Sequence, residues 1–122
     1  MLIVNRRNAK ILLTPHGSEI RPLIDRTSAS ITQCSLAEET LPPGHSVTPH
    51  YHEVLEEIYY ILSGTGVMTV GNEQQSVKAG DAVYIPKQQR HTLTNTGAEP
   101  MQLLLVCGPA FYFADHLLEE VK

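Results

Sequence analysis

The stretch Gly44-His45-Ser46-Val47-Thr48-Pro49-His50-Tyr51-His52-Glu53-Val54-Leu55-Glu56-Glu57 decides the reading of this chain. His50 and His52 stand at i and i+2, a spacing that on a β-strand puts both side chains on one face, with backbones about 6.6 Å apart. Their imidazoles can then converge on one ion. After a short turn Glu57 opens the next strand, where antiparallel pairing would return its carboxylate to the same face, so three ligands are expected from one hairpin. His91 is the fourth candidate. It opens a later strand after the break at Ile85-Pro86-Lys87-Gln88-Gln89, and whether it meets the other three depends on the tertiary fold. A lone His-x-His is more often a solvated strand edge, and Glu56-Glu57 alone would read as surface charge. The four together, at these spacings, point to a metal site.

Outward from this stretch the chain keeps an all-β rhythm of short runs rich in Val, Ile, Leu, Tyr and Thr, punctuated by Gly, Pro and Asn. Strands are expected at 11–14, 20–25, 29–37, 46–52, 56–62, 66–70, 73–77, 82–85, 91–94 and 101–106. Turns are marked by Leu41-Pro42-Pro43-Gly44, Ser63-Gly64, Gly71-Asn72, Ala79-Gly80 and Asn95-Thr96-Gly97. About ten short strands with tight links favour a closed or nearly closed antiparallel barrel. Only 114–121 carries a helical pattern, with Leu117, Leu118 and Val121 in phase and Asp115 near the start. A short C-terminal helix capping the barrel is expected there.

Length and composition set the frame. A chain of 122 residues with 42% hydrophobic and 18% charged content makes one soluble globular domain. No apolar run reaches the 18 or so residues of a transmembrane helix. Arg6 and Arg7 follow Leu2 to Val4 at once, which leaves no apolar core for a secretory signal, and a cytoplasmic location is expected. Nine basic against thirteen acidic residues give a net charge of -4, the wrong sign for binding nucleic acid through its phosphates. Cys34 and Cys107 form no C-x-x-C pair and lie in apolar surroundings, so both are expected to be buried, reduced thiols.

The spacing of the histidine-rich stretch resembles the first motif of the cupin family, G-x5-H-x-H-x4-E-x6-G, through Gly44, His50, His52, Glu57 and Gly64. The second cupin motif, G-x5-P-x-G-x2-H-x3-N, is met by Gly80, Pro86, His91 and Asn95, with Gln88 where the family usually has a turn glycine. Fifteen residues, 65–79, separate the two, similar to small single-domain microbial cupins. The resemblance spans 44–95. It implies one cupin domain over 1–122, folded as a double-stranded β-helix or jelly-roll barrel, with the metal held inside by His50, His52, Glu57 and His91.

Three imidazoles and a carboxylate suit one divalent transition metal, Mn, Fe, Co, Ni, Cu or Zn, better than Mg or Ca. An octahedral ion would keep two positions for a small oxygenated substrate, whereas a tetrahedral zinc would be saturated and structural. With Glu57 inward, the two-residue period turns Tyr59 and Ile61 inward and Ile58, Tyr60 and Leu62 outward. Tyr59 is the candidate catalytic residue, as a donor to bound substrate, although packing is the commoner role of such a tyrosine. Thr48 and Leu93 also face inward, so the rest of the pocket is expected to be largely apolar. Arg90 is out of phase, and Lys78 and Lys87 lie near turns, which disfavours phosphorylated substrates. His16, His45 and His116 fall outside the ligand spacing and are expected at the surface or as caps, His116 with the option of lying over the barrel mouth. Two functions follow: a metal-dependent enzyme of dioxygenase, decarboxylase or isomerase type, or a non-catalytic metal- or ligand-binding module. The outward apolar face predicts a homodimer, the form in which cupin relatives commonly occur.

Overall fold

The alternation along β5 (Glu56–Ser63) sets the inside and outside of the molecule: Glu57, Tyr59 and Ile61 are buried while Glu56, Ile58, Tyr60 and Leu62 are exposed. The computed structural model describes residues 1–118. It holds two antiparallel sheets that form a jelly-roll barrel. The six-stranded sheet has the order β1 (Leu12–Leu13), β2 (Glu19–Ile24), β3 (Ser35–Leu41), β10 (Met101–Gly108), β5, β8 (Ala82–Ile85). The five-stranded sheet runs β11 (Leu117–Leu118), β4 (His50–Tyr51), β9 (His91–Asn95), β6 (Thr65–Val70), β7 (Glu73–Lys78).

Between the sheets Leu41, Tyr59, Ile61, Leu93, Met101 and Leu103 are at most 2% exposed. Each fully buried leucine of this core contributes about 1.5–3 kcal/mol relative to an exposed one. The chain changes sheet between β5 and β6 over a single residue, Gly64, at φ +95°. A side chain there would be strained by that angle and would strike Met101, whose Cα lies 3.0 Å from the site of a Cβ. Asn95 closes the same end of the barrel: its buried amide donates to the carbonyls of Leu41 and Glu99 and accepts from Gly97 N–H.

Three expectations are corrected. Residues 29–34 are not strand, because Asp25 and Ser28 fold the preceding chain into a turn through side-chain bonds to its backbone; β3 starts at Ser35 and runs on to Leu41. The expected strand 46–52 is broken. Ser46 makes an isolated bridge to Thr94, and regular pairing resumes only at His50, after Pro49, which has no N–H to give. The C-terminal helix shrinks to one 3-10 turn, Phe113–Asp115, because Leu117 and Leu118 pair as a strand with Tyr51 and His50. Residues 119–122 of that expected helix lie outside the described residues.

Candidate metal centre

His50 pairs with His91 across β4 and β9, and His52 follows just beyond the end of β4. Glu57 comes from β5, in the other sheet. The expected hairpin of three ligands is therefore corrected: β4 and β5 do not pair, and residues 52–55 carry the chain from one sheet to the other, so the carboxylate faces the imidazoles across the barrel. One ligand atom from each of the four lies within 4.8 Å of the rest. All four side chains are buried, none more than 6% exposed.

The backbone decides where the imidazole protons sit. Nδ1 of His50 meets Thr48 O at 2.7 Å, that of His52 meets Asp115 O at 2.6 Å, and that of His91 meets Gln89 O at 3.0 Å. A carbonyl only accepts, so each Nδ1 carries the hydrogen, and each neutral ring presents the lone pair of Nε2. Nε2 of His52 and of His91 stand 3.4 and 3.3 Å from Glu57 Oε1. None of these three buried atoms has a hydrogen-bond partner. Each such orphan costs about 1–3 kcal/mol, and lone pairs facing a carboxylate oxygen repel unless a cation or a proton lies between them. The set fits a divalent transition metal in donor type, tautomer and burial.

The charges agree. Burial, with the neighbouring His91, lowers the pKa of His50 to about 3. Glu57 is held at about 2: burial opposes this, but His52 and His91 outweigh it. His52 is shifted upward, since Glu57 and the Asp115 carbonyl overcome its burial.

Around these four, Cys107 Sγ donates to Glu57 Oε2 at 3.4 Å. Burial and the Glu57 charge push that thiol up, so it stays protonated. Tyr59 is inward as expected, 2% exposed, its ring 6.0 Å from that of His91 in a T-shaped contact. Burial, then the charges of Glu57 and Glu39, raise its hydroxyl well above the ordinary tyrosine range.

The surroundings differ from expectation in four places. His116, read as a surface or capping residue with a mouth position as an option, is half-buried against the candidate ligands: its ring stacks on His50 at 4.1 Å and 17°. The pocket is less apolar than expected, because Glu39, 2% exposed, sits in the row of β3 that faces inward beside Leu103. Thr48 N–H donates to His16 Nδ1 at 3.1 Å, which leaves His16 Nε2 to donate to Glu39 Oε2 at 3.1 Å; Ser18 Oγ donates to the same oxygen at 2.5 Å. His16 is thus an internal bridge, whereas His45 is exposed and donates to His16 O. Cys34 is exposed and only Cys107 is buried, both free. Lys78, Lys87 and Arg90 are exposed. Glu39 and Asp115 were missed by sequence reading, since charged residues in mixed segments carry no local sign of burial.

Residues 37–107 match the family model described as Cupin domain. An uncharacterized protein of Methanocaldococcus jannaschii, MJ1618, is 40% identical over 106 residues, covering 87% of this chain and 85% of its own. The oxalate-binding protein of Thermotoga maritima is 41% identical over 70 residues, 57% of this chain and 58% of that protein. Among solved structures, a predicted oxalate decarboxylase from Thermotoga maritima superposes with a TM-score of 0.77 at 29% identity, covering 88% of this chain and 99% of the other.

Proposed function

This chain belongs to the cupin family, and from that premise we propose that it is a metal-dependent enzyme acting on a small oxygenated molecule. The observation that carries the reading is the convergence of Nε2 of His52 and His91 on Glu57 Oε1, buried and without hydrogen bonds. His50, His52, Glu57 and His91 would hold one divalent transition metal, which when bound supplies a Lewis acid for substrate oxygen atoms. The rest is work for the chain. The carbonyls of Thr48, Gln89 and Asp115 keep the three rings in the ligating tautomer. Cys107 occupies Glu57 Oε2 and leaves Oε1 to the site. Tyr59, protonated at any working pH, acts as a hydrogen donor rather than as a base. Decarboxylation, dioxygenation and isomerisation are the reaction types that fit.

A second reading, a binding module without turnover, draws support from the relative that is an oxalate-binding protein. One experiment separates them. Protein loaded in turn with Mn, Fe, Co, Ni, Cu and Zn is titrated calorimetrically with oxalate, 2-oxo acids and catechols, and the same mixtures are assayed for product. Binding with product supports the enzyme. Saturable binding without product from any metal supports the module, and a saturated four-ligand zinc without ligand binding makes the site structural.

A further inference from the structure

His52 follows β4 and precedes β5, in residues 52–55 that belong to no strand. No ladder holds this crossing, yet it must bring His52 and Glu57 to one point. Gln88 N–H donates to the carbonyl of His52, and the three following N–H groups, of Glu53, Val54 and Leu55, are held by one residue about sixty positions away. Asp115 is 3% exposed. Its Oδ1 accepts Glu53 N–H at 2.8 Å, and its Oδ2 accepts Val54 N–H at 3.0 Å and Leu55 N–H at 2.8 Å. The main-chain oxygen of the same residue takes the Nδ1 hydrogen of His52 at 2.6 Å. Asp115 is itself fixed from both sides. It closes the 3-10 turn Phe113–Asp115, and β11 follows and pairs with β4, Leu117 opposite Tyr51 and Leu118 opposite His50.

We propose that Asp115 is a positioning residue for the metal centre: its carboxylate gathers the crossing 53–55, and its carbonyl orients His52 with Nε2 toward Glu57. The inference rests on the metal reading above and goes beyond it. It assigns control of metal affinity to the C-terminal segment, outside both cupin motifs. A carboxylate suits this task because it only accepts, and all three partners are N–H donors. The Asp115→Asn change keeps the shape of the side chain but turns one NH2 toward those donors.

The test uses the full chain, stripped of metal and titrated with Co2+ as the probe, its affinity measured by competition with a chromophoric chelator and its site read from the visible absorption of the ion. Wild type, Asp115→Asn and Asp115→Ala are compared with Leu103→Ala, a core variant on the inner face of β10. The expected result is a loss of Co2+ affinity of about 10–100-fold in both Asp115 variants, with an altered absorption band. Leu103→Ala should lower the melting temperature of the metal-free protein and leave affinity and band as in wild type. If Asp115→Ala does not fold, the isosteric Asp115→Asn decides. Asp115 variants that lose melting temperature yet bind Co2+ with wild-type affinity and band would reduce the residue to a loop cap and overturn the proposal. A wild-type protein that takes no Co2+, nor any other of the six metals, would instead overturn the metal reading on which it stands.

Discussion

His50 and His91 face each other as direct partners across β4 and β9, with ring centroids 4.3 Å apart. The pairing ties the first motif to the second at the point where the ion would lie, so each histidine is both a candidate ligand and half of a strand contact. His50→Ala and His91→Ala should each lower affinity for the bound metal by more than about 100-fold, a larger loss than an outer-sphere change causes. Elemental analysis after dialysis checks this. Stoichiometric metal in either variant contradicts the assignment of that ligand.

Tyr59→Phe should keep the metal and the fold, because the ring rather than the hydroxyl fills the core beside His91. Tyr59→Ala should cost about 3–5 kcal/mol through the cavity it leaves. With the metal retained, a fall in turnover of about 100-fold or more in Tyr59→Phe would make the hydroxyl a proton donor. Wild-type turnover would assign Tyr59 to packing.

Gln88 has φ +68° and is the one residue other than glycine with a positive φ among the described residues. Its N–H donates to His52 O at 2.5 Å, so the turn keeps its shape although glycine is missing from it, and the bond ties it to the ligand-bearing segment. The left-handed conformation costs an L-residue about 1–2 kcal/mol, partly offset in a glycine variant by the greater entropy of its unfolded chain. Gln88→Gly should therefore stabilise by about 0.5–1 kcal/mol, a rise of about 2–5 °C in melting temperature. A lower melting temperature would mean that the Gln88 side chain contributes more than its backbone costs.

Acid should destabilise the chelator-treated protein in two stages. His50 titrates at 6.5 when unfolded and at about 3 when folded, and Glu57 at 4.5 and about 2. Both folded values are depressed, so within each window the unfolded chain binds more protons and stability falls as pH falls. Each proton adds up to about 1.4 kcal/mol per pH unit. The loss should begin below pH 6.5 and be steepest between about 3 and 4.5, where both groups contribute. His52, shifted upward from 6.5, works the other way: its contribution is complete below that value and fades as pH rises through its folded one. Urea midpoints at about pH 7, 5.5 and 4 measure this, and a midpoint constant over that range would contradict it.

The outer face of the six-stranded sheet exposes Ile58, Tyr60 and Leu62 at 43, 41 and 42%, with Tyr84, 58% exposed, in register beside Ile58. A second copy would cover this face, and light scattering at micromolar concentration should then give twice the mass of one chain. The double variant Ile58→Lys, Tyr60→Lys should give a single chain's mass with the metal still bound. A monomeric wild type contradicts the expectation.

What the sequence disclosed follows from how local each signal is. The alternation of β5 can be read because burial repeats every two residues along one segment, and the four ligand candidates because their spacing matches two motifs. Sheet membership cannot be read this way: nothing in 50–57 says that His50 pairs with a strand about forty residues on and Glu57 with another sheet. Asp115 and His116 looked like the start of a helix because the pull of β4 on Leu117 and Leu118 is tertiary. Glu38 and Glu39 look like surface charge until Arg6 is found forking onto the first and Ser18 and His16 onto the second.

The shortness of β4 has a kinetic consequence. Its two residues are joined to β9 by the pair His50 and His91 and to β11 by two pairs, whereas β10 is joined to β3 over seven. Parting β4 from its neighbours breaks few ladder pairs, whereas parting β10 from β3 breaks seven. The residence time of an ion held there would be governed by this local opening, so exchange with solvent can proceed in a barrel that never unfolds.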